Sequence, residues 1–212
     1  MANRVQYGSM VLIASGLLTF VGLIIRGPTI DPSIDPMGYA QGAAAYTQAG
    51  FLLLPASVLQ IIGVIVLYWY FSDGRARALV TWALVLSVVG IALFLPFAGG
   101  TLIPNATIGQ LYEGGNTEVM QIAEATFSSP LALFLLFSSL VPYLAGYSLF
   151  GYLLWKLGGV MKLAGVALVL HAPLVTIVAA ASYTGEVLGG MALFIAGAVL
   201  TWKLLRGPAD TG

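Results

Sequence analysis

One histidine, His171, stands in the middle of an apolar run and just before Ala172-Pro173. An ionisable side chain inside such a run is costly and marks a candidate functional site. A neutral imidazole donates one hydrogen bond and accepts another. It can therefore bind a polar ligand, relay a proton or act as a single axial ligand to a cofactor. The competing reading is structural: a neutral histidine bonded to a Ser, a Tyr or a backbone carbonyl on a neighbouring helix. Gln60 is the other mid-run polar side chain, and an amide there serves most simply as glue between helices, at roughly 0.6–2 kcal/mol per bond. Tyr143 and Tyr147 are one helical turn apart and face the same way, beside Pro142. Ser87 completes a set, Gln60, Ser87, Tyr143 and His171, whose members reach comparable depth on four helices and form the candidate ligand-binding pocket.

Other chemistry has less support. Glu118, Glu124 and Glu186 are weak candidates for an outer metal site, because carboxylates at irregular spacing are poor evidence for one. Asn105-Ala106-Thr107 matches a glycosylation acceptor. No HExxH, paired intramembrane aspartates, Gly-rich phosphate loop or serine-protease constellation occurs, and no catalytic residue is assigned. The chain has no Cys, which excludes disulfides, thiolate metal sites and iron–sulfur clusters. A single His excludes paired axial histidines and multi-His zinc or copper centres. The three lysines, Lys156, Lys162 and Lys203, all fall near the ends of apolar runs, so none is placed to form a mid-membrane Schiff base. Cofactor identity stays open.

Whatever chemistry exists must be positioned by membrane helices. Of the 212 residues, 59% are hydrophobic and only 8% charged, and mean hydropathy is +0.98. Soluble domains carry about 25% charged residues. Six runs, about 7–25, 50–71, 79–97, 130–155, 163–181 and 188–205, are apolar all round and of helix length. They are too long for barrel strands. The expectation is an all-α fold, a polytopic membrane protein with a single six-transmembrane-helix bundle over 1–212. The first run reads as a retained span, since no small-x-small cleavage site follows it. A net charge of +0 and an isoelectric point near 6.5 argue against nucleic-acid binding.

Charge sets the expected orientation. Seven of the eight Lys and Arg residues (Arg4, Arg75, Arg77, Lys156, Lys162, Lys203 and Arg206) flank the same side of the six runs, and only Arg26 lies opposite. Short basic loops stay cytoplasmic, so both termini are expected in the cytoplasm and the protein in the cell (inner or plasma) membrane. The acids mirror this: Asp31, Asp35, Glu113, Glu118, Glu124 and Glu186 fall outside, Asp73 and Asp210 inside. They are either simply free of the orientation rule or form an acidic mouth for cations.

Between the runs, Gly27-Pro28, Asp31-Pro32 and Asp35-Pro36 predict an extended connection. A helix restarts at Asp35-Pro36 and bends near Pro55. The longest connection, 98–129, has Asn116 as a potential cap of a short helix through Ala125. A brief outer turn spans 182–187, and a polar tail spans 207–212. Ala83-Leu84-Val85-Leu86-Ser87 echoes Ala167-Leu168-Val169-Leu170-His171, which would make the second and third spans a same-orientation repeat of the fourth and fifth. Ala192 and Ala196, with Gly189 and Gly197, provide a small-residue face for close helix approach.

The stretch Gly151-Tyr152-Leu153-Leu154-Trp155-Lys156 followed by Leu163-Ala164-Gly165 resembles a piece of some uncharacterised bacterial six-helix integral membrane proteins, with Met161 where a proline or basic residue is more usual. The resemblance covers about 15 residues plus the layout and implies no activity. Three function classes follow: a noncatalytic small subunit or ligand-binding bundle acting with a membrane-protein partner or as a homo-oligomer in lipid; a transporter component that captures a small molecule from the outer face, since six spans with both ends inside also resemble vitamin-uptake substrate-binding subunits; and an intramembrane enzyme or cofactor protein using His171.

Overall fold

The computed structural model describes residues 2–72, 74 and 76–206. The charges of Asp73, Arg75 and Asp210 and the tail 207–212 lie outside the described residues, as does the side chain of Arg4. Eight α-helices account for nearly everything described: α1 (Ala2–Arg26), α2 (Pro36–Phe71), α3 (Arg77–Leu102), α4 (Asn105–Glu113), α5 (Val119–Ser128), α6 (Pro130–Lys156), α7 (Met161–Pro173) and α8 (Tyr183–Leu205). Six of the helical segments are long and apolar enough to cross a membrane.

The helix starts follow local chemistry. Asp35 accepts from Gly38 N at 2.9 Å, with Pro36 pre-set for the first turn of α2. Ser129 caps α6 through Ala132 N, ahead of Pro130. Ser182 caps α8 through Gly185 N, so the expected outer turn over 182–187 is already helix. Asn116 does not cap α5; that helix starts at Val119, and Glu118 at its N-cap makes no side-chain cap bond. The helix that restarts at Asp35-Pro36 is α2, which runs for 36 residues through Pro55 and includes the second span.

The six long helices form a closed ring in the order α1, α2, α3, α6, α7, α8, with α8 returning to α1. Small residues set the spacing. Between α1 and α8, a Cβ built on Gly16 would sit 2.3 Å from Phe194 N, and one on Gly197 would sit 2.7 Å from Ile13 N. Across α3 and α6, Gly90 meets the Tyr143 backbone and Gly146 meets Ser87 in the same way. Such contact lets dispersion replace the hydrophobic drive that lipid removes. Thr201 Oγ1 donates to Ser9 Oγ at 2.9 Å and ties α8 to α1 in the buried seam. The outward surface is apolar, with Phe51, Trp82, Phe134, Phe137 and Val141 all exposed. That is the inversion a lipid solvent requires, and it makes contact with membrane lipid part of the fold.

At 1.5 Å per residue α2 is about 54 Å long, whereas the hydrocarbon core is about 30 Å thick. The surplus projects beyond the bilayer and carries a second, smaller apolar core. Tyr39, Tyr46, Ala98, Leu102, Ile108, Val119, Met120 and Ala123 bury one another there. The long connection between the third and fourth spans is therefore a helical layer, built by α4 on α2 and by α5 against α3 and α6. At the opposite end stand all four tryptophans, Trp69, Trp82, Trp155 and Trp202, each substantially exposed. Lys162 lies 5.7 Å from the Trp155 ring centroid, and Arg206 lies 4.2 Å from that of Trp202. This aromatic girdle coincides with the basic end, where a membrane interface favours both residue types.

Candidate functional site: a polar centre in the helix ring

Three of the four residues expected to form a pocket meet inside the ring. Gln60 is 11 residues from the basic end of α2 and His171 is 10 from that of α7, which places both about 15 Å along their helices. Tyr143 Oη lies 2.7 Å from His171 Nε2 and 3.0 Å from the Gln60 amide oxygen. Tyr147 Oη lies 2.8 Å from the same oxygen. His171 Nδ1 lies 2.8 Å from the Gly189 carbonyl on α8, and the far end of the Gln60 amide lies 3.5 Å from Thr19 Oγ1 on α1. Five helices thus share one chain of polar contacts. The tyrosine rings lie against the imidazole, with centroids 5.9 Å (Tyr143) and 5.2 Å (Tyr147) away. His171 and Tyr147 are completely buried and Gln60 nearly so. Outside that chain, α2 offers no acid or base at any position, and the described charges of the long helices fall at their ends.

Ser87 takes a different place. It is fully buried, and its hydroxyl has no hydrogen-bond partner. It packs on Gly146 between α3 and α6, beside the polar chain rather than in it. Ser87 and His171 both rest on α6, one residue before Tyr147 in the first case and on Tyr143 in the second.

The helix carrying His171 is irregular immediately after it. Pro173 has no N–H to donate, and residues Leu174–Val178 form a π-helical turn, a feature found often at functional sites. The wider turn needs room, and two glycines of α8 supply it. A Cβ on Gly185 would lie 2.3 Å from Val178 Cγ1, and one on Gly189 would lie 2.6 Å from Val175 Cγ1. Gly189 thus admits the π turn and offers its carbonyl to His171.

The helical layer beyond the spans is held by its own polar contacts. Tyr46 Oη accepts from Ile30 N at 2.7 Å and donates to Pro28 O at 2.9 Å. Tyr39 donates to the Asn105 side chain, whose amide nitrogen is turned onto Thr101 O. Asn105 is 0% exposed, so the glycosylation reading is overturned: its acceptor nitrogen is sealed in the fold. The three carboxylates weighed for a metal are not gathered in one place. Among the described residues no group of three or more His, Asp or Glu is placed to hold an ion. Glu118 and Glu124 stand exposed at and in α5, while Glu186, in the first turn of α8, is taken up by Arg26.

Sequence reasoning underweighted Tyr147, although its one-turn spacing from Tyr143 was the available signal. It missed Thr19 and Gly189. A backbone carbonyl leaves no mark in sequence, and Thr19 lies in an apolar run like any other. Comparison with protein-family models, curated proteins and solved structures finds no match to this chain, so the likeness to bacterial six-helix membrane proteins rests on 151–156, 163–165 and the six-helix layout.

Proposed function

We propose that this chain is a noncatalytic integral membrane protein, a small helical bundle that works as a subunit beside a membrane-protein partner, with both termini in the cytoplasm. The observation that carries this reading is the sealed polar centre. The one base at mid-membrane among the described residues, His171, has both ring nitrogens engaged by groups of its own chain. Two shallow grooves lie elsewhere, one of about 480 Å³ along α5 and another of about 330 Å³ at the α6–α7 turn. A site for intramembrane catalysis or an axial cofactor needs a free Nε2 and space beside it. The projecting outer layer, which presents Ile103, Leu111 and Ile122 to its surroundings, supports a protein contact on that side.

A second reading, capture or transport of a small polar molecule from the outer face, is favoured by the π turn after His171. Straightening or opening α7 there would uncover Tyr143, Gln60 and His171 together.

Native mass spectrometry of the protein purified from its own membrane, with and without crosslinking, separates the two. The subunit reading expects a copurifying membrane protein and lipid, with no other small molecule. A stoichiometric vitamin, haem or metabolite that disappears in His171→Ala would replace it with the capture reading.

A further inference from the structure

The hydrogens of the polar centre can be counted. Five contacts need one hydrogen each: Thr19 to Gln60, Gln60 to Tyr143, Gln60 to Tyr147, Tyr143 to His171 Nε2, and His171 Nδ1 to Gly189 O. The Gly189 carbonyl only accepts, so Nδ1 carries a hydrogen. In a neutral imidazole Nε2 is then bare and must accept from Tyr143. A hydroxyl has a single hydrogen, and once it points at Nε2 it is not available to Gln60. The 3.0 Å contact between Tyr143 and Gln60 must then be donated by the amide. Which end of a glutamine amide is nitrogen follows from its network. Turned with NH₂ toward the tyrosines, Gln60 has two hydrogens for two oxygens, at 3.0 and 2.8 Å. Its oxygen then accepts from Thr19. All five contacts are satisfied.

The opposite amide orientation has one complete solution. If the Gln60 oxygen faces the tyrosines, both hydroxyls donate to it and Nε2 must donate to Tyr143, so His171 carries a hydrogen on each nitrogen and is an imidazolium. An imidazolium with the amide left in its first orientation also fills the five contacts, but it leaves at least one tyrosine hydroxyl hydrogen without an acceptor, whereas the turned amide oxygen accepts both. The neutral arrangement and the favoured protonated one thus differ by one proton and a half-turn of one amide.

We propose that His171, Tyr143 and Gln60 form a proton-binding site in which uptake of a proton at His171 Nε2 reverses the Tyr143 hydroxyl and turns over the Gln60 amide. The resting state is the neutral one, with hydrogen on Nδ1 and the Gln60 NH₂ toward the tyrosines. The groups that face the imidazole are Gln60 on α2, Tyr143 and Tyr147 on α6 and the Gly189 carbonyl on α8. None is a carboxylate, so a cation there would have no counter-charge in the bilayer interior. In the step itself one N–H bond forms from a solution proton, and nothing is oxidised or reduced.

The chain's single histidine makes the test direct. Full-length protein in lipid nanodiscs, labelled with ¹⁵N at histidine and glutamine side chains, is followed by NMR from pH 7.5 downward, with Gln60 assigned by its loss in Gln60→Met. At pH 7.5 the expected form is the neutral Nδ1–H tautomer, with Gln60 amide hydrogens close to the Tyr143 and Tyr147 rings. On acidification the imidazolium and a shifted Gln60 amide appear with the same midpoint. In Tyr143→Phe the Gln60 response is lost while His171 still titrates. An Nε2–H tautomer or an imidazolium at pH 7.5, a Gln60 amide silent through the histidine titration, or no titration down to the pH where helix content falls would each overturn the proposal.

Discussion

Arg26 and Glu186 meet across the ends of α1 and α8, with Nη1 2.8 Å from Oε1 and Nη2 bonded to Oε2. Each side chain is only 12% exposed. The pair accounts for the single departure from one-sided basic charge: Arg26 stands on the acidic side because a carboxylate 160 residues away in sequence neutralises it there. It also fastens the seam between the first and last helices, where Tyr183 Oη donates to Leu23 O at 3.1 Å.

Removing either partner leaves the other charge largely buried and unpaired. Arg26→Ala or Glu186→Gln should lower stability by about 1–3 kcal/mol, and Arg26→Lys should recover only part because it loses the two-pronged geometry. Thermal unfolding in detergent or nanodiscs checks this. Variants indistinguishable from the parent would show that the pair is idle.

His171→Ala opens a void and strands the Gly189 carbonyl and the Tyr143 hydroxyl. A loss of about 2–4 kcal/mol is expected, with His171→Phe between it and the parent because the ring volume returns and the bonds do not. Denaturant unfolding of the three proteins reads the order directly.

Close helix approach makes a sharp contrast between two glycines. At Gly146 a Cβ would lie 2.4 Å from Ser87 N, whereas at Gly100 it meets nothing within 4 Å. Gly146→Ala should cost about 1–3 kcal/mol by forcing α3 from α6, and Gly100→Ala should be neutral or stabilise by about 0.4–1 kcal/mol. Equal effects in a melting assay would refute the packing argument.

Asp31 shapes the connection before α2. Ser33 Oγ donates to Asp31 Oδ1 at 2.6 Å and Ser33 N at 2.8 Å, and these bonds hold the carboxyl below its ordinary value of 3.8. A lowered carboxylate stabilises its turn above the ordinary value, and that contribution is lost as pH falls through the lowered one. The Ser33 amide resonance should therefore shift with a midpoint under 3.8. A midpoint at or above it would contradict the turn.

Orientation is open to a direct test, because a chain without cysteine makes any introduced thiol a unique reporter. Thr117→Cys, exposed in the outer layer, should react with an impermeant maleimide in intact cells. Gly74→Cys, exposed at the basic end, should react only after permeabilisation. The reverse pattern would invert the proposed topology.

What the amino-acid sequence determined alone is the solvent and the spans. Apolar runs of membrane length leave the backbone no choice but helix, which is why six long helices were legible within a few residues. Caps such as Asp35 and Ser129 were legible for the same local reason. The depth of Gln60, Tyr143 and His171 could be read too, because position along a helix converts directly to distance. The tertiary structure alone decided which faces meet. It closed the ring by bringing α8 onto α1 and selected Tyr147 and the Gly189 carbonyl as partners of the polar centre. It set Ser87 aside from that chain, buried Asn105, and folded 98–129 into a layer with its own core. None of these follows from periodicity, since a helix apolar all round carries no stripe to say which side faces its neighbours. That choice comes from where small residues allow backbones to touch and where each buried polar atom can find a partner, and both are properties of pairs of helices.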